Sequence, residues 1–279
     1  MGDHRMQFLP RTRNWRQVVG LLESDADVAQ IAGATGRAAQ RGLALATDDE
    51  GLRYAFWLLT QVPLAARQEN LVEALSRIGV RVSAEPSVFE VAGAFVEAVD
   101  GHLERFGRHT DIGEMAELAA AEALTALCSP KAEKLWRATP EDARSALGAF
   151  STRRQFGVLA HAFFSRFLHR FLTYHLSREL PNHLGRERRF AGVDEHNDFD
   201  RSLALHCRET TKIAAEDSEF AKALDLHCRE ASRIVQQFAG DWHSKATYES
   251  GIDLTRTRGF LWKALDKLQG ELAKRGQRP

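Results

Sequence analysis

Histidine and cysteine occur side by side twice in this chain. The segment Phe199-Asp-Arg-Ser-Leu203-Ala-Leu205-His206-Cys207-Arg208-Glu209 recurs almost unchanged 21 residues later as Phe220-Ala-Lys-Ala-Leu224-Asp-Leu226-His227-Cys228-Arg229-Glu230, and Ile213 is matched by Ile234. Imidazole and thiolate are zinc ligands, and a structural zinc site needs four of them converging as a tetrahedron. Neighbouring residues on a helix point about 100° apart, so one His-Cys dipeptide cannot chelate an ion alone. Only a hairpin laying His206 or Cys207 against His227 or Cys228 would assemble a site. The duplication, 199–234, reads instead as a lengthened helix or a hairpin, the segment between the copies either extending the helix or breaking it with Asp217 or Ser218 as the cap of a second one, and no metal is assigned. A second concentration of ligands, Asp194, Glu195, His196, Asp198 and Asp200, fails the calcium-loop pattern because Phe199 stands where glycine is needed. Acidic residues at a helix start answer its dipole, with Asn197 or Asp198 as cap.

A third arrangement is Arg170-Phe-Leu-Thr-Tyr-His175. This pair resembles the R-x4–6-H motif of the HEPN ribonucleases, helical proteins in which the Arg and His of two subunits meet to cleave RNA. The resemblance covers these six residues and implies, as the enzyme alternative, catalysis by Arg170 and His175. The chain has no phosphate loop, nucleophile elbow, HExxH or dinucleotide-binding glycine fingerprint. That shifts the weight toward a non-catalytic protein.

These residues need an element to hold them, and Ser151–Leu180 is the most strongly patterned stretch. Leu159, Phe163, Phe164, Phe167, Leu168, Phe171, Leu172 and Leu176 recur at the spacing of one helical face. Arg166, His169, Arg170, Thr173 and Ser177 gather on the other side. The phenylalanine face is expected inside the protein's own core, leaving the basic face outward. Arg153, Arg154, Arg166, Arg170, Arg186, Arg188 and Arg189 are accordingly candidate nucleic-acid contacts, through phosphate. The docking of this face on the chain's own acidic half is the alternative. Residues 1–150 carry 16 Lys and Arg against 21 Asp and Glu, whereas 151–279 carry 22 against 17.

Elsewhere helix signals follow one another almost without strand signals. Thr12 caps a helix to about Glu23, Asp25 or Asp27 one to about Arg41 ending at Gly42, and Thr47 with Glu50 one ending near Pro63. Ser87 with Glu90, Asp111 with Glu114, and Thr139-Pro140-Glu141-Asp142 open three more. The caps Thr12, Thr47 and Ser87 lie 35 and 40 residues apart, a spacing compatible with helical repeats. Ser129–Pro140, with two prolines, is the candidate boundary. The loop Asp241–Asp253 is long for a helical protein and carries Trp242, His243, Lys245 and Tyr248, which we take as partner-contact residues.

The sequence thus predicts an all-α protein, an irregular multi-helix bundle with a short helical-repeat-like N-terminal half. It divides into an acidic helical domain, 1–136, and a basic one, 137–279. Three cysteines without disulfide spacing, a start lacking a secretory apolar core, and no apolar run near the ~18 residues of a membrane span point to the cytoplasm. The function expected is that of a non-catalytic adaptor or interaction subunit in a multiprotein assembly. Other protein subunits are its partners, with DNA or RNA and a second copy of the chain as further candidates. No cofactor, metal or membrane is expected.

Overall fold

Side-chain oxygens open the helices where Ser, Thr, Asn or Asp precedes apolar periodicity. The computed structural model describes residues 12–24, 26–106, 108–132, 139–238 and 254–277. Among them are twelve α-helices: α1 Arg13–Glu23, α2 Val28–Ala38, α3 Gln40–Ala46, α4 Glu50–Ala65, α5 Leu71–Arg77, α6 Val88–Phe106, α7 Asp111–Ala132, α8 Pro140–Gly148, α9 Arg153–Leu176, α10 Val193–Glu216, α11 Ser218–Phe238 and α12 Leu254–Arg275. No strand forms among the described residues beyond one isolated bridge between Leu184 and Phe190. The protein is an all-α multi-helix bundle. The loop bearing Trp242, His243, Lys245 and Tyr248 lies outside the described residues.

Thr12, Asp27, Asn70 and Thr152 cap their helices as N-terminal acceptors, and Thr139 and Asp142 bond reciprocally across the first turn of α8. Other boundaries differ from the sequence reading. Asp49 rather than Thr47 opens α4: its Oδ1 accepts Leu52 N–H at 2.9 Å, while the Thr47 hydroxyl donates back to the Ala44 carbonyl at the end of α3. A carboxylate is the stronger acceptor and is favoured at a helix N-terminus. Similarly Thr110, not Asp111, accepts the Gly113 N–H at the start of α7. α4 ends at Ala65, two residues past Pro63, as the sequence reading places it; Pro63 cannot donate the hydrogen bond to the carbonyl of residue 59. α10 begins at Val193, so Asn197 and Asp198 lie inside it rather than capping it. α7 crosses Pro130 to Ala132, so the candidate boundary begins within a helix, and 133–138 lie outside the described residues.

All five phenylalanines of α9, Phe156, Phe163, Phe164, Phe167 and Phe171, are buried. Their rings meet Phe56 of α4 and Phe260 of α12: Phe56 lies 5.3 Å from Phe163, 5.4 Å from Phe164 and 5.2 Å from Phe260, centroid to centroid. α4 is apolar around most of its circumference and is correspondingly buried from Leu52 onward except at Arg53. It packs on α6, α7, α8, α11 and α12, while α2 packs on α12 from the far end of the chain. The first half is held both by successive helices, α1 on α2 and α6 on α7, and by helices distant in sequence, α4 on α7 and α2 on α12.

α4 and α7 approach closely through paired glycines. A Cβ at Gly51 would stand 2.6 Å from the Gly113 Cα, with backbone rather than a yielding side chain in the way. Gly51→Ala is therefore expected to destabilise the fold by about 1–3 kcal/mol, measured by urea unfolding; Gly93→Ala, which meets nothing within 4 Å inside α6, is the control and is expected to stabilise by about 0.5–1 kcal/mol.

The duplicated segment forms a broken rod. α10 ends at Glu216 and α11 starts at Ser218, with Asp217 extended between them (ψ 135°). Asp217 Oδ1 accepts the N–H groups of Glu219 and Phe220, at 2.9 and 3.3 Å, and Oδ2 accepts Lys267 Nζ of α12 at 2.6 Å. On an unbroken helix, 21 residues would turn the second copy about 60° from the first. Phe199 and Phe220, Leu203 and Leu224, and His206 and His227 are all buried. α9 and α12 each pack along both halves of the rod.

Candidate functional site in the groove along the long helix

The polar stripe of α9 lies in a groove between α7 and α10. His161 Nε2 is 3.1 Å from the Arg208 carbonyl and His169 Nε2 is 3.0 Å from Asp200 Oδ1, which fixes α9 and α10 as antiparallel neighbours. On the α7 side, Arg170 donates to Glu122 and the Arg166 Nε stands 3.9 Å from the same carboxylate. One turn on, the Tyr174 hydroxyl donates to Asp111, with the Arg178 guanidinium 4.6 Å above its ring. These groups enclose an open cleft of about 520 Å³. Its floor is α9, from Arg166 to Tyr174; α7 supplies Asp111, Glu114 and Glu122 with the apolar Met115 and Leu118, and α10 supplies Asp200.

Burial and charge set the electrostatics. Burial lowers the pKa of Arg166, and Glu122 opposes the shift. Two buried atoms, Arg170 Nε and Thr173 Oγ1, have no hydrogen-bond partner. Glu117, on the inward side of α7, is buried, and its Oε2 is likewise unpartnered. Burial, then Asp100 and Glu114, push its carboxyl up to about 7.

The sequence candidates fall in different places. Arg166 and Arg170 line the cleft. Arg153 is bonded to Asp225 at 2.9 Å, and Arg189 donates to the carbonyls of Leu21 and Ala26 at 3.5 and 2.6 Å. Arg154, Arg186 and Arg188 are exposed. Arg170 and His175 do not meet within the chain. His175 stands outside the cleft lining and packs on Trp15, Phe171 and Tyr174 with centroids 5.0–5.2 Å away; burial, then Arg178, push it down to about 4.

The His-Cys pairs lie in tandem rather than facing each other. His227 donates to or accepts from the Thr60 hydroxyl at 2.9 Å amid Phe56, Phe156 and Phe260, and burial pushes it down to about 4. His206 is also pushed down to about 4, by burial and then by Arg275. Burial raises both thiols, Cys228 to about 12. Among the described residues no group of three or more His, Cys, Asp or Glu is placed to hold a metal, and no helix is long and apolar enough to cross a membrane.

His169, Thr173 and Asp200 had a partial signal in the sequence, as members of the polar stripe and the acidic cluster. Glu122, Tyr174 and Asp111 had none, because only the packing of α7 against α9 brings them to the cleft. Comparison of the chain with protein-family models, with curated proteins and with solved structures finds no match.

Proposed function

We propose that the chain is a non-catalytic helical interaction subunit whose partner docks on the outer face of the α10–α11 rod. The observation that carries this reading is the exposure of Leu205 and Leu226, equivalent residues of the two copies, at 59% and 60%. Their matched neighbours Phe199 and Phe220, and Leu203 and Leu224, are buried, whereas these two face out. Each is flanked by exposed cations, Arg201 and Arg208 on α10 and Lys222 and Arg229 on α11. Asp198, Glu219 and Asp225 pair with Arg201, Lys222 and Arg229. An apolar contact with a polar, charge-balanced rim is the anatomy of a protein interface. Phosphate is the less fitting partner for this face, since Arg201, Lys222 and Arg229 are already paired with carboxylates.

Burying a leucine fully is worth about 1.5–3 kcal/mol, so loss of both outweighs a tenfold change in affinity. Tagged wild-type protein purified from its native host is expected to bring a partner with it. A Leu205→Asp, Leu226→Asp double variant, folded by circular dichroism, is expected to lose that partner. Retention of the partner by the folded double variant would refute the docking face.

A further inference from the structure

The cleft beside α9 has opposite charge at its two ends. At one end Arg166 and Arg170 both face the Glu122 carboxylate of α7. There the buried Arg170 Nε and Thr173 Oγ1 have no hydrogen-bond partner, and both residues line the cavity. Arg166, Arg170 and Thr173 follow one another at i, i+4 and i+7 on one face of the helix. The half-buried guanidinium groups of the two arginines are the donors that an oxyanion in the cleft would meet. At the other end stand Asp111 and Glu114, in the first turn of α7. Asp111 accepts the Tyr174 hydroxyl, and neither carboxylate has an ion-pair partner among the described residues. His169 holds Asp200 on the third wall.

We propose that this cleft binds a zwitterionic ligand of amino-acid or short-peptide size. Its carboxylate lies against Arg166, Arg170 and Thr173, competing with Glu122 for the guanidinium groups. Its ammonium group faces Asp111 and Glu114. A cavity of about 520 Å³ is of the size that takes such a molecule. Met115 and Leu118 offer the ligand's middle an apolar wall. The acidic end repels polyanions, which sets this site apart from one for nucleic acid or polyphosphate. The inference is independent of the partner surface on the rod, because no residue of the cleft lies among the leucines and cations of that face.

Calorimetric titration of the full chain with trialanine, N-acetyl-trialanine, trialanine amide and inorganic phosphate tests it. Trialanine is expected to bind saturably, and capping either end to weaken binding at least tenfold. Arg170→Gln is expected to weaken trialanine binding at least tenfold. Glu122→Gln, a change at an exposed position, is expected to tighten it several-fold by releasing both guanidinium groups. Absence of saturable trialanine binding at millimolar concentration would overturn the proposal, as would indifference to the caps or phosphate binding as tight as that of the peptide. Should Arg170→Gln not fold, Glu122→Gln decides: unchanged or weaker binding contradicts the competition on which the site is built.

Discussion

Phe164→Ala is expected to cost about 3–5 kcal/mol of folding free energy, the range for removing a large aromatic ring from a packed core. Phe164 is 1% exposed, and its ring stands 5.1 Å from Phe163, 5.4 Å from Phe56, 6.0 Å from Phe260 and 6.1 Å from Phe220. Those neighbours belong to α4, α9, α11 and α12, so four helices border the space the ring would vacate. Rigid helices close such a space only partly, and the residual cavity adds to the lost transfer free energy. Urea unfolding measures the effect. Phe89→Ala, at an exposed phenylalanine, is expected to change stability by no more than about 0.5 kcal/mol. A loss below about 1 kcal/mol at Phe164 would mean that the ring does not sit among these helices.

The second large effect is a loss of stability in acid through His227. Its imidazole is held neutral by burial, with a pKa of about 4 against an ordinary 6.5. Above pH 6.5 it is uncharged in both folded and unfolded chains and contributes no pH dependence. Between pH 6.5 and 4 the unfolded chain takes up a proton that the folded chain refuses, so stability falls. Below pH 4 both states are protonated and the slope ends. A shift of this size corresponds to about 3 kcal/mol. Glu117 works in the opposite sense: its raised carboxyl pKa gives stability that is full below pH 4.5 and is lost as pH rises toward 7.

Comparing wild type with His227→Asn cancels Glu117 and every other group common to both. The variant loses packing and the Thr60 hydrogen bond at neutral pH. Its deficit is expected to shrink by about 3 kcal/mol between pH 7 and pH 4. A deficit constant across that interval would place the imidazole in contact with solvent.

Helix identity was largely legible in the sequence because caps and apolar periodicity are local. Thr12, Asp27, Thr139 and Thr152 stand where the polar-then-apolar pattern puts them. Thr47 misled because Asp49, two residues on, competes for the same helix start with a charged acceptor. Pro63 marked the end of α4 to within two residues. Whether the segment between the two copies extends the helix or breaks it was open in the sequence; it breaks, with Asp217 as the cap. The choice rests on Lys267, 50 residues away, which holds the Asp217 carboxylate. The cleft was half legible. Arg166, His169 and Arg170 share a helical face in sequence, but what they meet on α7 and α10 is set by tertiary packing. The basic face was foreseen, and its docking on the acidic half stood as the alternative; that Glu122 is the residue met was not legible.

The duplicated rod brings these strands together, since its inward residues build the core and its outward leucines offer the proposed contact. A photo-crosslinking amino acid placed in turn at positions 205, 226 and 195 tests that contact most directly in the native host. Position 195 is an exposed site near the start of α10 and serves as the control. The account predicts that 205 and 226 capture the same protein and that 195 does not. No capture at either leucine, or equal capture at all three positions, would contradict it.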